Sequence, residues 1–504
     1  MKVYLAGYNI DAEVLEELKS KSEPRDDVTP EVISAAYARI SRDPRPVNEL
    51  RKDARSEVEK TRKSNKTIIF KMGHHSVAEH AVFNLDILGV SRLSMEEIEK
   101  FRLCSYTEKS QRYITLDKGF VVPQEVKGTR LEDEFVKIIQ KQNQAYTYLF
   151  KQLKEHEFKK HSQLANDPKN HSLLEGWAKE DARYVTGLST ESQVGLTVNA
   201  RNLELMLRRF ASHHLLEVNN LGKAIYDQIK AVAPSILIFY EANARDKNTY
   251  PELKKTSDEV VKKVNVSGYQ NLTNDVQLSE FTENGDNVIV AALLHSSTSL
   301  PYGQCKKIVE CYSSAEKENI FKAAWRNLQF YDSLPREFEY VNLTFDIELS
   351  AACFGQLKRH RMSTITTQGY DPLLGVIIPE SINEIGQAGY FQEIIEQTNR
   401  LHDELKKEIP QVASYILTNA HKRRALIRVN ARELYHISRL REDSHAQWDI
   451  QNISHAMTEQ AKKVMPLVFR LIGGKDQYNQ TYKAVFKKLP KVIQAVLPEA
   501  RKIK

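Results

Sequence analysis

The chain has 504 residues, of which 41% are hydrophobic and 28% charged, and a formal net charge of +7. This composition predicts a soluble globular protein of more than one domain. The chain contains no apolar run near the roughly 18 residues that a membrane span requires, and its start, MKVYLAGYNI, lacks the features of a signal peptide. A cytoplasmic protein without a membrane partner is therefore expected.

The cysteines and the positive charge narrow the classes of ligand. The cysteines form no C-x-x-C pair and no metal-binding spacing, so they are interpreted as reduced packing residues and no metal is predicted. The modest excess of Lys and Arg suits ligands that carry phosphate groups. Because the sequence has no recognisable RNA-binding module and no interleaving of aromatic and basic residues, a nucleic-acid partner is not predicted.

The first elements in chain order are a strand and two helices. Residues 2–20 predict a strand followed by a helix, and their single glycine gives no dinucleotide-binding motif. Residues 29–41 predict a second helix with Pro30 near its start. Residues 285–297 repeat the pattern of that helix, which is the first sign of an internal duplication.

A histidine-containing loop follows. Residues 71–94 predict a glycine-containing turn and then the alternating strand AVFNLDI. The candidate side chains on this turn are His74, Ser76, Glu79 and His80. Such side chains can bind a metal, but because no third ligand spacing completes the site, a hydrogen-bonding pocket is the better interpretation.

Residues 100–113 carry a second candidate motif. Glu108, Ser110 and Arg112 alternate, so an extended backbone would direct all three side chains to one side. A carboxylate, a hydroxyl and a guanidinium together suit a nucleotide, since an arginine can bind a phosphate through two donors. Alternating polar residues are otherwise typical of the solvent-exposed face of a strand.

Three stretches without such motifs help to divide the chain. Residues 131–180 predict a largely helical, charged insertion that the second copy lacks. Residues 243–284 are polar and predict a linker, and residues 474–504 predict a basic tail that packs as a helix. The predicted boundaries are a first repeat at 1–242, the linker, a second repeat at 285–473 and the tail.

Residues 428–450, RVNARELYHISRLREDSHAQWDI, predict a helix, a turn and a second helix. At about 100° per residue, Arg432 and His436 share a face, whereas Arg441 points to the opposite side and should contact different neighbours. Ser444 is expected to begin the next helix as part of a capping box. A charged, solvent-exposed helix is the alternative interpretation of this spacing.

An earlier stretch, TVNARNLELMLRRFASHHLLEV at 197–218, repeats this sequence with one residue fewer before Arg209. Internal repeats of this kind take precedence over other interpretations. The chain is therefore interpreted as two versions of one domain.

Together these motifs resemble the flavin-dependent thymidylate synthase family, duplicated in tandem over roughly 29–232 and 285–470. The family pattern is an Arg-His-Arg followed by Ser, Asn-Glu, Ser and Arg-Tyr, with a Gly-His-x-Ser-x-x-Glu-His loop and a late Asn-x-Arg helix. The resemblance implies an α+β fold with two tandem copies of the family domain. Each copy is expected to be a mixed sheet flanked by helices, and the two are expected to form a pseudo-dimer.

The two copies depart from the family pattern in complementary ways. The first keeps the Gly-His loop and the Glu-Ser-Arg triplet, but it has Lys100-Phe101 in place of Arg-His and Thr107 in place of Asn. The second keeps Arg-His-Arg and the late helix, but it has lost the loop and the triplet and has Ser414 where the first has an arginine.

The resemblance implies that dUMP is converted to dTMP, with carbon from methylenetetrahydrofolate and hydride from reduced FAD, which NADPH regenerates. Arg441 is the expected catalytic residue, which would polarise the uracil ring, and Tyr113 is expected to stack folate. The residues expected to bind dUMP are Glu108, Ser110, Gln111, Arg112, Arg183, Gln356, Arg359 and Arg441. The residues expected to bind FAD are His74, Ser76, Glu79, His360, Arg361, Asn430, Arg432 and His436.

In the family, each site lies between subunits of a homotetramer. The expected assembly here is a homodimer that acts as a pseudo-tetramer, with half of its sites complete and composed of both repeats. The alternative is a decayed nucleotide- or flavin-binding pseudoenzyme with a regulatory role. Lys100 and Thr107 favour the alternative, and the preservation of one full residue set favours the enzyme.

Overall fold

The structure is a computed structural model, and the residues that it describes are 1–18, 27–116, 119–238, 240–264, 272 and 274–491. The chain forms two compact units. Unit one consists of Met1–Tyr269 and Ile377–Ala420, and unit two of Gln270–Val376 and His421–Lys504. A segment of the second repeat, 377–420, therefore belongs to the same compact unit as the first repeat.

The secondary structure alternates between strands and helices along both repeats. The strands are β1 (Lys2–Tyr8), β2 (Val82–Ser91), β3 (Cys104–Glu108), β4 (Glu191–Asn199), β5 (Val276–Phe281), β6 (Asn342–Ser350), β7 (Thr364–Tyr370) and β8 (Lys422–Asn430). The helices of the first repeat and the following segment are α1 (Ala12–Leu18), α2 (Glu31–Arg39), α3 (Val47–Ser56), α4 (Val58–Asn65), α5 (Arg92–Ile98), α6 (Glu132–Lys160), α7 (Ser162–Ala165), α8 (His171–Ala182), α9 (Ala200–Ala211), α10 (Leu216–Ile229) and α11 (Ala244–Val264). Those of the second repeat are α12 (Gly285–Ser297), α13 (Tyr302–Cys311), α14 (Ser314–Trp325), α15 (Ala351–Leu357), α16 (Glu380–Glu384), α17 (Ala388–Glu408), α18 (Ala431–Arg441), α19 (Trp448–Val464) and α20 (Tyr478–Phe486).

Each unit contains one four-stranded sheet, and the two sheets have the same strand order, β1-β2-β4-β3 and β5-β6-β8-β7. This repetition confirms the α+β fold in two tandem copies. The expectation of a mixed sheet was wrong in detail, because every described pairing in both sheets is antiparallel. Antiparallel neighbours need no parallel crossover connection.

The central strand β2 is the one that the alternating sequence AVFNLDI predicts. Phe83, Leu85 and Ile87 are buried on one face, whereas Asn84 and Asp86 lie on the other face and are exposed. This alternation follows from the two-residue period of a strand. One face of β2 therefore faces the hydrophobic core and the other faces away from it.

The long helix α6 of the first repeat packs against α17 of the second repeat inside unit one. The prediction that the second repeat lacks this helical segment was wrong, because α16 and α17 lie between β7 and β8 as α6 to α8 lie between β3 and β4. In the sequence, the charged residues on the outer face of α17 interrupt the spacing of its apolar residues, and this makes the helix hard to recognise. The buried residues of its apolar face include Phe391, Ile394, Ile395 and Leu401.

The segment interpreted as a linker, 243–284, contains α11 and also β5, which pairs with β6 as an edge strand of the second sheet. The C-terminal tail contains α20, whereas the predicted helical stretch VIQAVLPEA lies outside the described residues. None of the helices in the described part of the chain is long and apolar enough to cross a membrane.

The helix pair predicted at 428–450 is present as α18 and α19, with Arg428 at the end of β8. Asn430 begins α18 by accepting a hydrogen bond from the backbone N–H of Glu433 at 2.8 Å. The capping box at Ser444 was wrong, because α19 begins at Trp448 and has Gln447 as its N-cap residue, without a side-chain cap bond. The amide of Gln447 is instead bound by another side chain.

Candidate functional site

The end of α18 in unit two carries a fixed arginine. Arg441 is the last residue of α18, and its Nε donates to Nε2 of His360 at 2.8 Å. Its Nη2 donates to the backbone oxygen of Gln356 at 3.1 Å. Because two neighbours hold the guanidinium, its plane is fixed before any ligand binds.

His360 acts as the acceptor in this contact because it is neutral. The side chain is 3% exposed, and burial, assisted by the charge of Arg441, holds the pKa of His360 well below its ordinary value. A neutral ring that accepts at Nε2 carries its proton on Nδ1. That atom lies 3.7 Å from Oε1 of Glu433, whose own pKa is raised by burial.

Two buried glutamines complete this cluster. Gln356 on α15 donates through Nε2 to Oε1 of Gln447 at 2.8 Å, and both side chains are buried. We call Gln356, His360, Arg441 and Gln447 the arginine–amide cluster. Sequence reasoning did not include Gln447 among the site residues, although the change from Gln447 to Leu215 between the copies was a usable signal.

The other candidate residues of unit two lie around this cluster. Arg359 is exposed and donates through Nε to the backbone oxygen of Gly355 at 3.3 Å, and Arg361 is half-buried. His436 is exposed, with its ring centroid 5.8 Å from that of His360. The two arginines beside a buried polar cluster suit a ligand with both an anionic and a heterocyclic part.

Arg432 contacts other neighbours than Arg441, as the helical spacing predicted. Its Nε donates to the backbone oxygen of Leu334 at 2.7 Å, and its Nη1 donates to Glu339 at 3.0 Å. The first repeat has an equivalent ion pair between Arg201 and Glu79. Both pairs tie the start of a helix to the loop before the central strand.

The Glu-Ser-Arg triplet of unit one does not share an extended backbone, which corrects the sequence prediction. Strand β3 ends at Glu108, and the chain turns at 111–113. Ser110 brings about this change, because its Oγ accepts a hydrogen bond from the backbone N–H of Arg112 at 3.2 Å. Glu108 remains on the sheet, where its Oε1 accepts from Ser192 Oγ at 3.4 Å.

Two arginines meet beside this turn. Arg112 donates to the carboxylate of Glu180 at the end of α8, and Arg183 follows one residue after that helix. Arg183 is 6% exposed, and burial lowers its pKa. Glu180 was missed as a partner because its contact with Arg112 spans distant parts of the sequence. The pair of guanidinium groups forms a positive site of the kind that binds phosphate.

The neighbours of these arginines are Gln111, which is buried, and Tyr113, which is 70% exposed. The guanidinium of Arg112 lies 5.3 Å from the centroid of the Tyr113 ring. The exposed face of Tyr113 is thus available for stacking.

The Gly-His loop of unit one presents its side chains outward. His74 and Ser76 are exposed and Glu79 is half-buried. Gly73, which precedes them, has a φ of +78°, a left-handed conformation that a residue with a Cβ rarely adopts. This glycine is therefore needed to turn the loop outward.

The first repeat contains an altered copy of the arginine–amide cluster. Helices α5 and α15 are both seven residues long and begin after a capping serine, so Phe101 is equivalent to His360. Counted from the capping asparagines of α9 and α18, Phe210 is equivalent to Arg441. The expected equivalent, Arg209, instead lies over the ring of Tyr250, 5.6 Å from its centroid.

The candidate residues thus fall into two groups. Unit one brings together Gln111, Arg112 and Arg183, with Ser110 and Tyr113 adjacent. Unit two brings together Gln356, His360 and Arg441. Each group keeps what the other repeat has lost.

Comparison with known proteins shows the same duplication of the chain. The family model described as thymidylate synthase complementing protein matches residues 26–235 and again residues 277–467. The chain belongs to this family. The first segment contains β2 to β4 and the second nearly all of β5 and the whole of β6 to β8, and both contain the candidate residues described above. The resemblance seen in the motifs is therefore confirmed as a tandem duplication.

The similar proteins include one that aligns over the length of a single repeat and one that aligns over most of this chain. A flavin-dependent thymidylate synthase of Clostridium tetani is 29% identical over 212 residues, which is 41% of this chain and 80% of that protein. A UPF0159 protein of Chlamydia pneumoniae is 23% identical over 446 residues, which is 82% of this chain and 81% of that protein. The second alignment is longer than either matched segment of the family model and so extends over parts of both.

A solved structure is also similar to part of the chain. It is the flavin-dependent thymidylate synthase of Helicobacter pylori complexed with FAD and dUMP. Its sequence identity is 17% and its TM-score 0.30, and the match covers 47% of this chain and all of that one.

Proposed function

We propose that this protein is an FAD-dependent thymidylate synthase. It would convert dUMP to dTMP, with methylenetetrahydrofolate as the carbon donor and NADPH as the reductant. The observation that carries the proposal is the complementary survival of the two residue groups. The phosphate-type arginines Arg112 and Arg183 survive in the first repeat, and the fixed Arg441 survives in the second.

Neither repeat holds both groups. The first repeat has Phe210 in place of Arg441, and the second has Ser414 in place of Arg183 and no arginine from Thr364 to Leu374. A complete dUMP site therefore needs residues of both repeats. We infer that the protein acts as a homodimer with composite sites, equivalent to a tetramer of single-copy chains.

We assign a role to each charged group. Arg112 and Arg183 bind the phosphate, and a phosphate dianion offsets the cost of burying the Arg183 charge. Gln356 and Arg359 flank the nucleotide. Arg441 donates to the uracil ring and stabilises negative charge that develops there, a contribution worth several kcal/mol when the donor is already in place.

Neutral His360 is essential to that arrangement, because only a neutral ring accepts the hydrogen bond from Arg441 Nε. A protonated ring would repel the guanidinium. The lowered pKa of His360 thus keeps Arg441 oriented across the neutral pH range.

The residues present fit FAD. The buried Nδ1 of His360, which has no hydrogen-bond partner among the described residues, is a donor for a heterocycle, and the half-buried Arg361 and exposed His436 suit a pyrophosphate. His74, Ser76 and Glu79 would contribute from the loop of the first repeat. Asn430 and Arg432 would act by holding α18 and the loop before β6 in place. When bound, FAD supplies the hydride.

The test is production of dTMP from dUMP, methylenetetrahydrofolate and NADPH under low oxygen, because reduced flavin is otherwise lost to oxidation. The purified protein should be yellow, with flavin absorbance. dTMP formation is the expected result. A protein that binds FAD and dUMP yet makes no dTMP would favour the pseudoenzyme, and one that binds neither would contradict the proposal.

A further inference from the structure

A short segment of the second repeat pairs with the equivalent segment of the first inside unit one. Gly187 and Thr418 form an antiparallel bridge, and the backbone N–H of Asn419 donates to the backbone oxygen of Thr186 at 2.9 Å. Strands β4 and β8 are both nine residues long and end at a capping asparagine, and counting back from those asparagines makes Gly187 and Thr418 equivalent. Pairing of equivalent residues is the mark of a two-fold interface.

The side chains break this symmetry one residue further along. The position equivalent to Asn419 is Leu188 in the first repeat, and both side chains are fully buried. A buried amide costs free energy unless it forms hydrogen bonds. Asn419 must therefore form hydrogen bonds on its side of the interface that Leu188 does not form on the other side.

The amide of Asn419 binds the candidate phosphate site. Its Nδ2 donates to Oε1 of Gln111 at 3.2 Å and to the backbone oxygen of Arg183 at 3.1 Å. It also lies 3.0 Å from Oγ1 of Thr186. Asn419 thus holds Arg183, which is a member of the arginine pair, and Gln111, which is a neighbour of that pair.

The contact also fixes which way the amide of Gln111 faces. Because Oε1 accepts from Asn419, Nε2 points to the opposite side. This Nε2 is buried and has no hydrogen-bond partner among the described residues. A buried donor of this kind is matched by an acceptor such as a phosphate oxygen.

We propose that Asn419 of the second repeat is a positioning residue for the phosphate of the nucleotide that the first repeat binds. It aims the Nε2 donor of Gln111 at a phosphate oxygen and holds the backbone of Arg183. This inference rests on the proposed function, since it takes dUMP as the ligand. It gives the second repeat a part in the phosphate site in addition to its arginine–amide cluster.

The test compares Asn419→Leu, which copies the residue of the other repeat, with Thr398→Val. Thr398 is a buried residue of the same unit and binds Gln142 at 2.9 Å, away from the arginines. Isothermal titration of the full-length protein would measure Kd for dUMP and for deoxyuridine, which lacks the phosphate. We expect Asn419→Leu to weaken dUMP binding about ten-fold, the loss of roughly one charge-assisted contact, and to leave deoxyuridine binding unchanged. Thr398→Val should change neither.

A second variant and a kinetic measurement distinguish loss of this contact from a folding defect. Asn419→Asp has nearly the same volume but cannot donate to Gln111, and it should weaken dUMP binding at least as much. In turnover, the KM for dUMP should rise with kcat retained, because the contact holds substrate and transition state alike. Unchanged dUMP affinity in either folded variant would overturn this inference alone. A wild-type protein without dUMP affinity would overturn the proposed function, and this inference with it.

Discussion

Phe210 packs edge to face against Phe101, with 6.0 Å between the ring centroids, at the positions where Arg441 and His360 form a hydrogen bond in the second repeat. An aromatic pair has replaced a polar pair in the same local fold. The position of Gln356 also differs between the repeats, because the first repeat has the carboxylate of Glu97 there in place of the amide. Burial acts to raise the pKa of Glu97, but the hydrogen bond from His213 and the charge of Lys100 outweigh burial and lower it to about 2.

This replacement predicts the flavin content. The first repeat has Phe101 in place of His360, and the second has lost the Gly-His loop, so only one kind of site keeps a full set of flavin contacts. We expect about one FAD per chain, reducible by a nicotinamide cofactor. Flavin released by denaturation would be quantified against protein concentration. A ratio near two would show that the altered sites still bind FAD.

The shared unit predicts how separated repeats behave. Helix α6 of the first repeat packs on α17 of the second, and Gln142 Nε2 donates to Thr398 at 2.9 Å and to the backbone oxygen of Ile416 at 2.9 Å. A chain of residues 1–242 would expose this face. We expect it to be poorly soluble or without dUMP affinity, and we expect co-expression with residues 274–504, which include β5, to restore solubility and affinity. Titration of dUMP against each part and the mixture checks this, and full affinity in the first repeat alone would contradict the composite site.

The sequence predicted the local elements well and the distant contacts poorly. The alternation of AVFNLDI and the helical spacing after Asn430 gave β2 and α18, because local periodicity determines both. The contact between Arg112 and Glu180 and that between Gln111 and Asn419 depend on tertiary packing. No local pattern marks such contacts. The extended triplet failed for a different reason, since the Ser110 side chain competes with the strand for the backbone N–H of Arg112.

His360 predicts a dependence of stability on pH. Its folded pKa lies well below 6.5, so between those values the unfolded chain binds a proton that the folded chain does not. Stability should therefore fall as the pH drops below about 6.5, and this component should vanish in His360→Gln, which keeps an acceptor for Arg441. Thermal denaturation from pH 5.5 to 8 measures the slope. A slope that is the same in His360→Gln as in the wild-type protein would contradict this prediction.

The last prediction places Arg112 and Arg441 on one substrate. Arg441→Ala should lower kcat by about 10²–10³, the usual loss when a preorganised donor to developing charge is removed. Arg112→Ala removes a charge-assisted contact to phosphate, worth roughly 1.5–3 kcal/mol, and should act mainly on the KM for dUMP. Both variants should still bind FAD, because neither residue belongs to the proposed flavin contacts. The measurements are dTMP formation under low oxygen and flavin absorbance.

The control for these variants is Arg209→Ala. Arg209 follows the same Val-Asn-Ala-Arg sequence in the first repeat, but it lies over the ring of Tyr250 and not in the position equivalent to Arg441. Its loss should weaken a surface contact by about 0.5–1 kcal/mol and leave turnover near the wild-type value. If activity survived Arg441→Ala but not Arg209→Ala, the catalytic arginine would lie in the first repeat. The complementary survival of residues would then no longer support composite sites, since Phe210 would not mark a lost function.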